Sequence, residues 1–171
     1  ELQADLDIVS NRVRTVTTNA SSARAETDLA SDDHYAQANI NVTVNNGGQS
    51  IGVICRKDTT ATLTFYLADL DWNADTTRLF RCVTGSFTSL GSDVATTLVE
   101  TTQFLLRLTV DGSTLSTTVD GVAKHTGVTD TNIVDNLRCG IRGHGGVELG
   151  EWDDIEAGDV VAATDGGGPR S

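Results

Sequence analysis

The chain has 171 residues, with 12 Lys and Arg against 24 Asp and Glu, for a formal net charge of −12. That length suits one domain with its own core. No run approaches the roughly 18 apolar residues of a membrane helix, and the acid excess repels nucleic-acid phosphates and anionic lipid, so neither nucleic acid nor membrane insertion is expected. The carboxylates are dispersed, as on a solvated surface, rather than gathered in an acidic tail. No basic, apolar leader opens the chain; with Glu1 first, it reads as a processed or excised piece. There are 25 threonines, one proline and no methionine. Thr is β-branched with a polar tip, which suits the wet face of a sheet, so composition points to an all-β protein.

Alternation of apolar and polar residues, the mark of a half-buried strand, recurs along the chain. Ile8–Val16 and Ala23–Leu29 are expected to be the first strands. Ala36–Val44 follows, with Ala36, Ala38, Ile40, Val42 and Val44 on one face, and ends at the turn-forming Asn45-Asn46-Gly47-Gly48. Ser50–Arg56 is apolar on both faces. Ala61–Leu67 is expected to lead through a polar loop at 68–77 into Arg78–Val83, and Phe87–Leu90 is a short edge. Phe104–Val110, Thr114–Val119 and Val122–His125 are joined by Asp111-Gly112 and Asp120-Gly121, signals of tight hairpin turns. Leu137–Arg142 and Val147–Glu156 close the domain. Gly143–Gly146 and Gly166–Gly168 read as flexible.

Cys55, Cys82 and Cys139 each lie in an apolar, strand-like run. They are expected to be buried free thiols acting as small hydrophobes, with one disulfide between neighbouring strands as the alternative. Their spacing is too wide for a zinc motif. His34, His125 and His144 fall in separate segments and are expected to be exposed.

The run Leu106–Val122, with its two Asp-Gly turns, resembles the meander of concanavalin A-like and laminin-G-like jelly-roll domains. Ser31–Val42 and Ile51–Arg56 resemble the family's early strands. L-R-C-G-I-R-G from Leu137 and L-G-E-W-D-D-I-E-A-G from Leu149 resemble its closing pair. The resemblance spans about Asp28 to Gly158 and implies an antiparallel two-sheet jelly-roll sandwich over residues 1–159, followed by a Gly-rich tail at 160–171. It carries little about function, because the fold hosts lectins, adhesins, glycosidases and virion proteins.

Three sets of residues are candidates for chemistry. Glu151, Asp153 and Glu156 have the E-x-D-x-x-E spacing of retaining glucanases on this fold. By that resemblance Glu151 is the nucleophile, Asp153 the orienting acid and Glu156 the proton donor, a pair of carboxylates working about 5–5.5 Å apart. Trp152 and Asp154 depart from the usual spacers, and aromatic residues for a sugar cleft are only 5% of the chain. Asp69, Asp71, Asn73 and Asp75 offer side-chain oxygens at the alternate spacing of a calcium loop, without its glycine and terminal glutamate. Trp72, with Asp71 and Asn73 beside it, is placed to stack on a glycan from that loop.

The sequence has no phosphate-cradling loop, nucleophile elbow or dinucleotide fingerprint. It therefore favours a non-catalytic structural or display domain of a virion or similar assembly, such as a capsid decoration or tail component. Such a domain would be homo-oligomeric, sited on a virion surface or outside the cell, and able to bind glycan weakly. A carbohydrate-binding or adhesion module of an extracellular protein is the alternative, and a retaining β-glucanase the remote one.

Overall fold

The computed structural model describes residues 6–9, 12–15, 20–45, 49–59, 63–144 and 150–160. The described residues form fourteen strands and no helix: β1 (Leu6–Val9), β2 (Arg12–Thr15), β3 (Ser21–Arg24), β4 (His34–Val42), β5 (Ser50–Lys57), β6 (Phe65–Asp71), β7 (Thr76–Val83), β8 (Ser86–Ser89), β9 (Val94–Ala95), β10 (Phe104–Asp111), β11 (Thr114–Val119), β12 (Val122–Thr129), β13 (Arg138–His144) and β14 (Gly150–Asp159). Sheet I has the order β1-β2-β14-β4-β10-β11-β12. Sheet II has the order β3-β13-β5-β6-β7-β8, with β9 pairing on β7. The pairings are antiparallel, and the chain passes repeatedly from one sheet to the other, so the protein is an all-β jelly-roll sandwich.

The core lies between the sheets. Alternate residues of β4 (Ala36, Ala38, Ile40, Val42) and β10 (Phe104, Leu106, Leu108, Val110) face Ile51, Val53 and Cys55 of β5 and Tyr66, Ala68 and Leu70 of β6. Trp152 of β14 is fully buried, and its Nε1 donates to the carbonyl of Gly52 at 3.0 Å, tying the two sheets together. Strand β5 is buried at every position because the outer face of sheet II carries a second apolar cluster, Ile54, Phe65, Leu67 and Cys82 with Leu63 and Phe80.

The β10–β11–β12 meander matches expectation in its order and turns, but β12 continues past His125 to Thr129, and one turn is refined. The second turn is Asp120-Gly121, with both residues at positive φ, 51° and 77°. In the first, Asp111 pairs with Thr114, so the turn residues are Gly112 and Ser113, and Gly112 supplies positive φ, as in turns with glycine leading.

Elsewhere the strands shift. The single strand expected at Ile8–Val16 is an antiparallel pair, β1 with β2. Strand β3 ends at Arg24, before most of the segment expected to be extended. Strand β6 begins at Phe65 and continues to Asp71 through what reads as a loop. Aspartate disfavours strands by propensity, but Ala68 and Leu70 fill the core while Asp69 and Asp71 face outward to Arg78 on the neighbouring strand. Burial and pairing override propensity there. Residues 161–171, most of the expected tail, lie outside the described residues, as do 145–149 and 46–48.

Candidate functional site

The outer face of sheet II places charged side chains in register. Arg142 on β13 stands opposite Gly52 on β5, Gly52 opposite Asp69 on β6, and Asp69 opposite Arg78 on β7. The neighbouring rung runs His144, Ser50, Asp71, Thr76. On the other side, the rung of Ile54, Leu67 and Phe80 is apolar. A cavity of about 230 Å³ lies where these rungs meet, lined by Ser50, Leu67, Asp69, Arg78, Phe80, Phe87, Arg142 and His144.

Its chemistry is that of clamped charge beside aromatic rings. Arg78 grips Asp69 with both arms of its fork, Nε to Oδ1 at 2.9 Å and Nη2 to Oδ2 at 2.8 Å, and its Nη1 pairs with Asp71. Such bidentate pairs fix a guanidinium's plane. The Arg78 guanidinium also lies over the Phe80 ring at 5.3 Å, and that of Arg142 over the Phe87 ring at 4.8 Å. Phe87 meets Phe65 and Phe80 edge-on, with centroids 6.0 and 6.2 Å away, and remains 40% exposed.

Asp69 has a side chain only 3% exposed. Burial pushes its carboxyl above the ordinary range, against the pull of Arg78. Burial likewise draws the Arg142 guanidinium downward, with the Asp69 charge opposing. Arg142 is half-buried, and its guanidinium makes no hydrogen bond or ion pair with the described residues. A guanidinium has five N–H donors, and here they border a cavity. Gly52 makes the arrangement possible: a Cβ there would overlap the Ala68 carbonyl and come within 2.8 Å of the Asp69 Cα and Cβ.

The residues expected to form a loop site are divided by the sheet. Trp72 is 4% exposed, turned into the core, with its ring edge-on to Phe104 at 6.1 Å. This overturns the expectation that it stacks on a glycan: the alternation of β6, carried one residue past its end, turns Leu70 and Trp72 inward while Asp69 and Asp71 point outward. Asn73 is exposed in the turn, and its backbone N–H, like that of Ala74, donates to Asp71 Oδ1.

The calcium set does not assemble either. Asp69 and Asp71 are engaged by Arg78, while Asp75 accepts from the Leu98 N–H at 3.3 Å. Among the described residues, the His, Cys and carboxylate groups that cluster as metal ligands are His34, Cys55 and Cys139. His34 and His125 are buried rather than exposed; His125 bonds Thr117 and the Ser92 carbonyl.

The glucanase-like triplet lies on sheet I, held in structural contacts. Glu151 is paired by Arg12 and Arg14, and Asp153 by Arg12. The two arginines hold the Glu151 carboxyl below its ordinary value despite burial. Glu156 accepts from Tyr35 Oη and Gln37 Nε2, beyond a register shift that separates it from Asp153.

The residues that sequence reasoning missed are Arg78, Phe80, Phe87 and Arg142. A signal for the first two was present: continuing the alternation through Asp69 and Asp71 puts Arg78 and Phe80 on their face of the next strand. Nothing local links them to Arg142, which lies 64 positions beyond Arg78 and arrives by sheet pairing.

Neither a protein-family model nor a curated protein matches the sequence. Solved structures do resemble the fold. The carbohydrate binding module CBM66 from Bacillus subtilis superposes with a TM-score of 0.73 at 13% identity, over 93% of this chain and 94% of that one. A Bacillus subtilis protein of unknown function with a galectin-like fold gives 0.69 at 8% identity, over 93% and 88%. Galectin LEC-6 from Caenorhabditis elegans gives 0.54 at 13% identity, over 85% and 96%. The chain is thus similar in fold to galectins and to CBM66, and it has the concanavalin A-like jelly-roll fold that its meander and closing strands resemble.

Proposed function

We propose that this chain is a non-catalytic carbohydrate-binding module that holds a saccharide against the outer face of sheet II. Arg142 carries the reading: a half-buried guanidinium, without a hydrogen-bond partner among the described residues, at the wall of a 230 Å³ cavity. Sugar hydroxyls both donate and accept. Arg142 supplies donors, Asp71, held in place by Arg78, supplies acceptor lone pairs, and exposed Phe87 offers an apolar surface for the C–H face of a ring. The likeness to a carbohydrate binding module and to galectins supports the same reading. It implies an extracellular or surface location.

The display-domain reading asks for a contiguous apolar contact patch. The exposed large apolar side chains among the described residues, Ile8, Val44, Phe87, Val99, Val122, Val134 and Ile155, are distributed over four strands and three loops. That reading lacks an observation equal to Arg142.

The test is a saccharide panel followed by titration calorimetry. Wild type is expected to bind one class of saccharide. Arg142→Ala is expected to weaken binding about tenfold or more, the loss of charge-assisted hydrogen bonds, with an unchanged melting temperature. Glu156→Gln, on the other sheet, should bind as wild type. Undiminished binding by Arg142→Ala, or no binding across the panel, would overturn the proposal.

A further inference from the structure

Strands β5 and β13 pair with a break in register: Arg138 stands opposite Lys57, but Gly140 stands opposite Ile54. Two residues of β5, Cys55 and Arg56, therefore oppose the single residue Cys139, the arrangement of a β-bulge; Arg56 takes φ 49°. The bulge brings two inward-facing thiols together, with Cys139 Sγ 3.9 Å from Cys55 Sγ. Both residues are buried in the core. We infer that Cys55 and Cys139 are a disulfide-forming pair that cross-links β5 to β13 when the protein folds under oxidising conditions, leaving Cys82 as the free thiol.

The geometry requires little movement. The sulfurs must close by roughly 2 Å to reach a bonded separation near 2.05 Å, between residues on directly paired strands. The two thiols differ in access. Cys139 lines a cavity of about 290 Å³ bordered by Val13, Ala23, Ile141 and Ile155. That cavity gives an oxidant a route to Cys139 and not to Cys55, so Cys139 is the attacking thiol and Cys55 the resolving one.

With glutathione disulfide as oxidant, the Cys139 thiolate attacks one glutathione sulfur and expels a glutathione thiolate. Cys55 then gives up its proton, attacks the Cys139 sulfur and expels the second glutathione. Two protein thiols are oxidised to one disulfide, one glutathione disulfide is reduced to two glutathione thiols, and the two protons end on those thiols.

His34 completes a cluster whose ligand atoms lie within 4.8 Å of one another, a donor set suited to a soft metal ion. Its imidazole is already engaged. Nε2 accepts the Arg56 backbone N–H at 2.9 Å, which leaves the proton on Nδ1, 3.0 Å from the Ser31 carbonyl. Coordination through Nε2 would leave a buried N–H without an acceptor, whereas the disulfide leaves that bond intact.

The test refolds the reduced, denatured full chain in a glutathione redox buffer, then counts thiols in denaturant. One reactive thiol per chain is expected, none in Cys82→Ser, and a disulfide-linked peptide pair containing Cys55 and Cys139 by mass spectrometry. The bridge would close a separation of 84 residues, so reduction should lower the melting temperature by about 10 °C. Three reactive thiols in the refolded protein, a bridge to Cys82, or stoichiometric zinc or copper on the purified protein would each overturn the inference.

Discussion

At Arg56 one side chain joins three connections of the sandwich. Its guanidinium donates to the carbonyls of Asp32 and Ile133 at 2.9 Å and of Gly112 at 2.8 Å, and meets Asp33 Oδ1 at 3.3 Å. It is 1% exposed, so those acceptors stand in for the water it has lost. Removing one member of such a buried set leaves the others without partners. Arg56→Met is expected to destabilise the fold by about 3–5 kcal/mol, measured by urea unfolding; a loss below about 1 kcal/mol would show that the carbonyls find other donors. At this scale the sequence was partly legible. Asp69, Asp71 and Trp72 drew attention as polar and aromatic residues in one run, but their sorting to opposite faces depended on whether that run was strand or loop. The two aspartates, poor strand formers, hid the alternation that decided it.

The elements show which signals survive folding. The β10–β12 meander was legible because two-residue turns and strict alternation are both local. Strand β6 was displaced toward its C-terminus because its outward positions are charged and satisfied by a neighbouring strand. The β1–β2 pairing gave no turn signal comparable to Asp-Gly. The pairing of β5 with β6 also sets the candidate site. Gly52 lets the Ala68 carbonyl and Asp69 backbone approach closely, and a Cβ there has no room. Gly52→Ala must part the two strands or tilt Asp69 away from Arg78. The expected result is a loss of about 1–3 kcal/mol of stability together with weakened saccharide binding, measured by denaturant unfolding and calorimetry on the same variant. Wild-type values for both would mean that the close approach has no part in holding the site.

At the scale of the whole molecule, composition and periodicity were enough for an all-β sandwich, because each strand declares its own buried face. The candidate site was not legible in the same way. Its rung runs from Arg142 through Gly52 and Asp69 to Arg78, across four strands whose order in the sheet, β13-β5-β6-β7, is not their order in the chain. Only pairing brings those residues together. The net charge of −12 bears on this as well: arginines are few, and two of them converge on one cavity beside paired aspartates. The most direct measurement of the central proposal is heteronuclear NMR of the labelled protein titrated with a saccharide that it binds. Perturbations concentrated on the Arg78 and Arg142 side chains and on the backbone of β5, β6, β7 and β13 are the predicted result. Perturbations concentrated on sheet I, with Arg78 and Arg142 unmoved, would contradict it.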